Sequence, residues 1–447
     1  MKRFIQTVKN IWAIEDLRSR IATTLLLVLI YRVGSHIVLP GLDANQLQNL
    51  ANNGDRGIFS LINIFAGGAF NRASVFALGI MPYISASIVV QLLTMAIPYF
   101  QKLQKEGESG RRQINQITRM LTVIVTFLQA SGYVVYLRNM GADVMINPGM
   151  FWLSTTVILT AGTIFCMWMG EKITDKGIGN GTSLVISAGI IARLPHALVQ
   201  EFEAKTQAAG GGLLIFLIEI ALMVLIIMAI ILLIQGVRRI PLNYARRIVG
   251  ATSATDVTGT RDFIPLKVNS AGVMPIIFAQ AIMFLPTLVS FTNIDSAQGI
   301  VRIFNDHSNV WYMLIYSVMV IGFTFLYTAL IFNPKQISED LKRNNGFVPG
   351  VKPGQPTTDY IGAVMDKITL PGAILLALVG ILPGFAQKLG VTQGFSTFFG
   401  GTSLLIMVGV ILDTLQQIET HLLMRQYDGL MNTGRIQGRT PITNSTI

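Results

Sequence analysis

The stretch "GIMPYI", Gly79 to Ile84, returns far down the chain as "GVMPII", Gly272 to Ile277. A second pair behaves the same way: "GTSLVI", Gly181 to Ile186, is matched by "GTSLLI", Gly401 to Ile406. Apolar runs of about 18 to 27 residues, long enough to cross a bilayer, can be placed near 19–38, 72–97, 117–138, 150–170, 181–199, 211–237, 271–291, 310–332, 369–387 and 398–418. The first match joins the second run to the seventh, and the second match joins the fifth to the tenth. Chance, or small residues placed for helix packing, could produce one such match. Two at the same offset of five point to a duplicated five-helix unit. An odd number of spans per unit inverts one copy relative to the other, and inverted repeats place their site near the midplane, between the halves.

Composition agrees with a membrane chain. Of 447 residues 51% are hydrophobic and 13% charged, against about 25% charged in a soluble domain. The basic, polar start (Met1 to Arg20) leads straight into the first run, so no cleavable signal is expected. The single cysteine, Cys166, excludes an internal disulfide framework and reads as a buried thiol. The runs near 19–38, 72–97, 181–199, 271–291 and 369–387 are the weaker ones. They are interrupted by Arg32, by Pro82, by Arg193 with Pro195, by Pro275 with Pro286, and by Pro383. With ten spans both termini share one side, and that side holds 26 of the 34 Lys and Arg. The positive-inside rule makes it the cytoplasm. The expected fold is therefore all-α and polytopic, with ten transmembrane helices in two inverted halves around a central pore. Residues 1–200 form one half, 201–419 the other and 420–447 a cytoplasmic tail.

Each repeated motif ends on isoleucine: Ile84, Ile277, Ile186 and Ile406. Ile80 and Ile190 lie one helical turn from two of these. Four aliphatic residues at repeat-equivalent positions suggest a shared constriction, which blocks ions by dewetting and offers a polar solute no hydrogen bond. Just before the second run lies "IFSLINIFAGGAF", residues 58–70. As a helix it would rise roughly 20 Å, too short for a hydrocarbon core of about 30 Å. Broken backbone at membrane depth is tolerated inside protein or beside a water-filled cavity. The segment is therefore expected to be a re-entrant plug (Ile58, Leu61, Ile62, Asn63, Ile64 and Phe65), with Gly67 and Gly68 as its hinge. An anchor lying flat at the interface is the other reading.

Two cytoplasmic loops, 238–270 and 333–368, exceed simple connectors and are strongly basic, with Arg238, Arg239, Arg246 and Arg247 in the first and Lys352 in the second. They suit an acidic or RNA-bearing partner, or anionic lipid. No catalytic or metal-binding spacing occurs among the four histidines, and "KGIGNG" at 176–181 lacks the ending of a phosphate loop. Neither enzyme chemistry nor a cofactor is expected. Glu219, isolated in an apolar run, keeps a second possibility open: a secondary transporter that uses it as coupling residue. A membrane scaffold is a third.

Taken with "RVGSHIVLPGLD", "IFAGGAFNRASVFALGIMPYISASIVVQLL", "KEGESGRRQINQITR", "EKITDKGIGNGTSLVI", "RRIPLNYARR", "PLKVNSAGVMPIIFA", "NGFVPGVKPG" and "FGGTSLLI", the chain resembles the SecY/Sec61-alpha family of protein-conducting channels over nearly its whole length. The resemblance implies a ten-helix clamshell with an hourglass pore in a bacterial cell membrane. It implies a pore ring of Ile80, Ile84, Ile186, Ile190, Ile277 and Ile406, and a lateral gate between helices two and three and helices seven and eight, with Ser87, Gln91, Asn269 and Gln280 on it. It further implies small SecE and SecG subunits, docking of the ribosome or the SecA ATPase on the two basic loops, and signal sequences and unfolded polypeptides as cargo. Lys352 departs from the arginine usual in the family, losing a planar fork while keeping the charge. Met274 departs from the branched aliphatic residue common at the edge of the ring.

Overall fold

A computed structural model gives the architecture and describes residues 12, 14–42, 63, 65–139, 147–207, 212–244, 261–288 and 309–432. Helices dominate. In chain order they are α1 (Glu15–Gly34), α2 (Met81–Ala96), α3 (Pro98–Lys105), α4 (Glu108–Asn139), α5 (Pro148–Lys176), α6 (Gly181–Gln207), α7 (Gly212–Gln235), α8 (Met274–Leu288), α9 (Val310–Ile331), α10 (Pro334–Arg343), α11 (Gln355–Lys388), α12 (Gln393–Ser396) and α13 (Gly401–Asn432). Among the described residues seven helices are long and apolar enough to cross a membrane: α4, α5, α6, α7, α9, α11 and α13. An eighth span results if α2 and α3, bent by 100°, are taken together. The other two expected runs are helical as well: α1 with 20 residues and α8 with 15. The chain is thus a multi-pass membrane protein. On α7 the leucines 213, 214, 217, 225 and 232 are all exposed, as a lipid-facing helix requires.

Two prolines expected to interrupt spans instead open them. The run near 72–97 becomes helical only at Met81, with Pro82 in the first turn. The run near 271–291 starts at Met274, with Pro275 second. At those positions the missing N–H is an orphan anyway and the fixed φ suits the helix. The glycine two residues earlier adopts a left-handed conformation in both copies, Gly79 at φ +53° and Gly272 at φ +65°. The repeated Gly-x-Met-Pro is therefore a helix-start device: a glycine turns the chain and proline launches the helix.

The two basic loops contain a small sheet that the helical pattern did not suggest. Strands β1 (Val237–Tyr244), β2 (Arg261–Lys267) and β3 (Gly346–Phe347) pair in the order β2-β1-β3, antiparallel throughout. Ile240 faces Ile264 across β1 and β2, and Asn243 faces Phe347 across β1 and β3. Ile240, Leu242 and Leu266 bury with Leu341, Val348, Ile361 and Met365 in a core of their own. Loops far apart in sequence thus form one body, sitting on α10 and the first turns of α11.

Candidate functional site

The matched motifs place their isoleucines in identical register. Ile84 is the fourth residue of α2 and Ile277 the fourth of α8; Ile186 is the sixth residue of α6 and Ile406 the sixth of α13. Each isoleucine thus stands at the same step past its helix start as its counterpart. All six residues expected at the ring fall in one apolar cluster: Ile80, Ile186, Ile190 and Ile406 are buried members, and Ile84 and Ile277 are partly buried against it. That cluster is the main core of the bundle, to which both halves of the chain contribute.

Of the segment expected as a plug, Ile58, Leu61, Ile62 and Ile64 lie outside the described residues. Its last part is firmly built. Asn63 is 1% exposed, and its Oδ1 accepts the Asn71 N–H at 3.1 Å. Gly67 and Gly68 are left-handed, at φ +64° and +85°. Close approach adds a second reason for glycine here. A Cβ on Gly67 would stand 2.8 Å from the Gly189 Cα, and one on Gly189 would stand 2.9 Å from the Phe65 carbonyl oxygen. Backbone therefore lies on backbone at Gly189, the neighbour of Ile190, and ties the segment's base to α6. The Gly67 carbonyl also accepts from Arg72 (3.1 Å) and Arg32 (3.4 Å), Tyr31 donates to the Ala66 carbonyl (3.4 Å), and Tyr133 donates to that of Phe70 (2.6 Å). Arg32, which interrupts the first run, is thus an anchor for this segment. Sequence reading missed Tyr31, Arg72 and Tyr133, because nothing in their local pattern marks a long-range backbone acceptor.

Polar residues expected at the gate occupy partly buried positions. Ser87 and Gln91 are one turn apart on α2, and the Gln91 Nε2 donates to Ser87 Oγ at 3.5 Å. Gln280 lies on α8, whereas Asn269 sits in the turn ahead of it. The Gln91 Oε1 and Asn269 Oδ1 are buried with no hydrogen-bond partner among the described residues.

On the sheet body Arg238, Arg239 and Lys352 are exposed, and the Arg239 guanidinium lies 4.7 Å from the Phe263 ring centre. Arg246 and Arg247 lie outside the described residues. "KGIGNG" forms the turn into α6, and three of its N–H groups are taken by side chains. Ile178 N–H donates to Thr24 Oγ1 (3.1 Å), Gly179 N–H to Gln417 Oε1 (2.7 Å) and Gly181 N–H to Thr174 Oγ1 (2.9 Å). Such a turn has little left to cradle a phosphate. Glu219 is no free coupling group: Lys205 Nζ lies 3.0 Å from its Oε1. Among the described residues no group of three or more His, Cys, Asp or Glu could hold a metal ion.

Comparison with known proteins fits this geometry. The family model described as SecY matches residues 74–415. The protein translocase subunit SecY of Mycobacterium tuberculosis is 40% identical over 453 residues, covering 96% of this chain and 100% of that one. A solved structure described as that of a protein conducting channel superposes with a TM-score of 0.63 at 15% identity, covering 94% of this chain and 95% of the other. A second superposes with a TM-score of 0.61 at 16% identity and the same coverage. It is described as showing that the plug domain of the SecY protein stabilises the closed state of the translocation channel and maintains a membrane seal.

Proposed function

The chain belongs to the SecY family, and from that premise we propose that it is the protein-conducting channel of a translocon in a bacterial cell membrane, with both termini cytoplasmic. It is a channel subunit and not an enzyme. It passes unfolded secretory polypeptides through the waist and releases hydrophobic segments sideways into lipid. The observation that carries this reading is the identical register of four isoleucines at four helix starts, two in each half, all of them packed in the main apolar core. An unfolded chain presents every type of side chain, so a useful waist must grip none of them. Isoleucine meets that demand and still resists ions by dewetting. A leaving segment gains about 0.3 to 0.6 kcal/mol per Leu or Ile on entering lipid.

In this reading Ile80, Ile84, Ile186, Ile190, Ile277 and Ile406 form the ring. Residues 58–70 plug it from outside, and Ser87, Gln91, Asn269 and Gln280 line the seam that opens to lipid. The division at residues 200 and 419 separates the halves and the tail. Arg238, Arg239, Arg246, Arg247 and Lys352 present the docking face for the ribosome or SecA, which supplies the driving force. SecE and SecG complete the heterotrimer, and anionic lipid attracts the same basic face. A paired Glu219 weighs against the transporter alternative.

Conductance of the reconstituted complex tests the proposal. Ile84→Asn with Ile277→Asn should raise ion leak severalfold, because amides wet the constriction, while Glu219→Gln should leave transport near the unmodified level. Silent ring variants together with loss of all transport in Glu219→Gln would instead establish a coupled transporter.

A further inference from the structure

The repeated Gly-x-Met-Pro carries a thioether in both copies. Met81 is the first residue of α2 and Met274 the first of α8. Each stands three residues before an isoleucine of the proposed ring, Ile84 or Ile277, and so lies one turn from it on the same helix face. Both methionines are partly exposed, and Met81 packs against the apolar cluster that holds the isoleucines. Met407, beside Ile406, is by contrast buried, while Met120, Met150 and Met228 are exposed on the membrane-crossing helices α4, α5 and α7. The two copies also enter the waist from opposite directions. Helix α2 follows the segment expected as a plug and leads into the bend at α3, whereas α8 comes out of β2 of the sheet body. Met81 therefore precedes the waist on the plug side, and Met274 precedes it on the side of the basic loops.

We propose that Met81 and Met274 are oxidation sites, and that their conversion to methionine sulfoxide by a peroxide wets the closed waist and lets ions leak. The inference rests on the reading of the isoleucines as the waist of a channel and adds a chemical input to it. In the step, the thioether sulfur attacks one oxygen of hydrogen peroxide. A sulfur–oxygen bond forms and the oxygen–oxygen bond breaks. Sulfur loses two electrons to the peroxide, and the proton of the transferred oxygen passes to the departing hydroxide, which leaves as water. The product matters through its polarity. A thioether is a flexible apolar chain with a weak acceptor, and a sulfoxide is a polar group that attracts water. A constriction closed by dewetting alone has no second barrier, so a polar acceptor one turn from Ile84 or Ile277 gives water a foothold. Buried methionines are shielded from a dissolved oxidant, and sulfoxides on the lipid-facing surfaces wet no constriction. Because the two copies flank the waist, an oxidant arriving from either side meets one of them.

The experiment uses the full channel complex in lipid vesicles with hydrogen peroxide as the oxidant. It reads ion leak as the ratio of treated to untreated sample, and sulfoxide at each methionine by peptide mass spectrometry. Treatment should raise the leak of the unmodified complex about fivefold, and a methionine sulfoxide reductase should bring it back to within about twofold of the untreated level. Met81→Leu with Met274→Leu conserves volume and removes the sulfur, so peroxide should leave its leak unchanged while the other methionines are still oxidised. Met81→Gln puts a permanent amide beside Ile84 and should leak about threefold more than the unmodified complex without any peroxide. An equal peroxide response in the double leucine variant would overturn the proposal. So would full sulfoxide formation at both residues with no rise in leak, or sulfoxide at Met120 and Met228 with none at Met81 and Met274. Should the double leucine variant not assemble, Met81→Gln decides, and an unchanged leak there overturns the proposal equally. Passage of a stalled secretory chain through the untreated complex is measured alongside, so that failure of the oxidation sites and failure of the channel reading are told apart.

Discussion

Helix α6 carries two contrasting sites. Near its start Ile186 and Ile190 sit in the apolar cluster with Ile80 and Ile406. Near its end Glu201 and Lys205 are held by Glu219, Thr392 and Gly390 through directed charge and hydrogen bonds. The first set of contacts is non-directional and scales with buried area, so a polypeptide that replaces the lost neighbours leaves the balance nearly unchanged. In the second, every partner is specific, and removing one leaves buried polar groups without their partner. One helix thus borders a non-directional contact at its start and a directed one at its end. The turn ahead of it is also tied to α13, through Gln417 on the Gly179 N–H.

That contrast predicts unequal responses to mutation. Glu201→Leu should be the more damaging change, since it leaves Lys205 and the two Thr392 donors short of their acceptor. The cost is about 3 kcal/mol, seen as a clear fall in the thermal midpoint of the detergent-solubilised complex. Ile190→Val removes one methylene from a fully buried site and should cost only about 1 kcal/mol. Its signature is a small rise in ion leak with little change in midpoint. Equal loss of stability in the two variants would erase the distinction between the ends of α6.

The sequence carried the apolar spans and the repeat well, because both are written in local patterns. The same pattern hid the physical role of the repeat. Pro82 and Pro275 look like breaks in a run, yet they open helices after a left-handed glycine. The sheet was missed because its alternation is short: Ile240 and Leu242 on one strand, Ile264 and Leu266 on the other, with Pro241 and Pro265 among them. Glu219 stood out as an embedded acid, but its partner Lys205 lies on the preceding helix and only the fold brings them together. The glycines at 67 and 68 were expected as a hinge. Gly67 is also required by the approach of Gly189, a constraint that no single-segment reading contains.

The central claim is that a polypeptide passes through the isoleucine waist. A secretory chain stalled in transit, with photo-cross-linkers placed in turn at Ile84 and Ile277, tests it most directly. The account predicts adducts with the stalled chain from both positions, and none from lipid-facing Leu225 on α7. Adducts at Leu225 with none at Ile84 or Ile277 would contradict it.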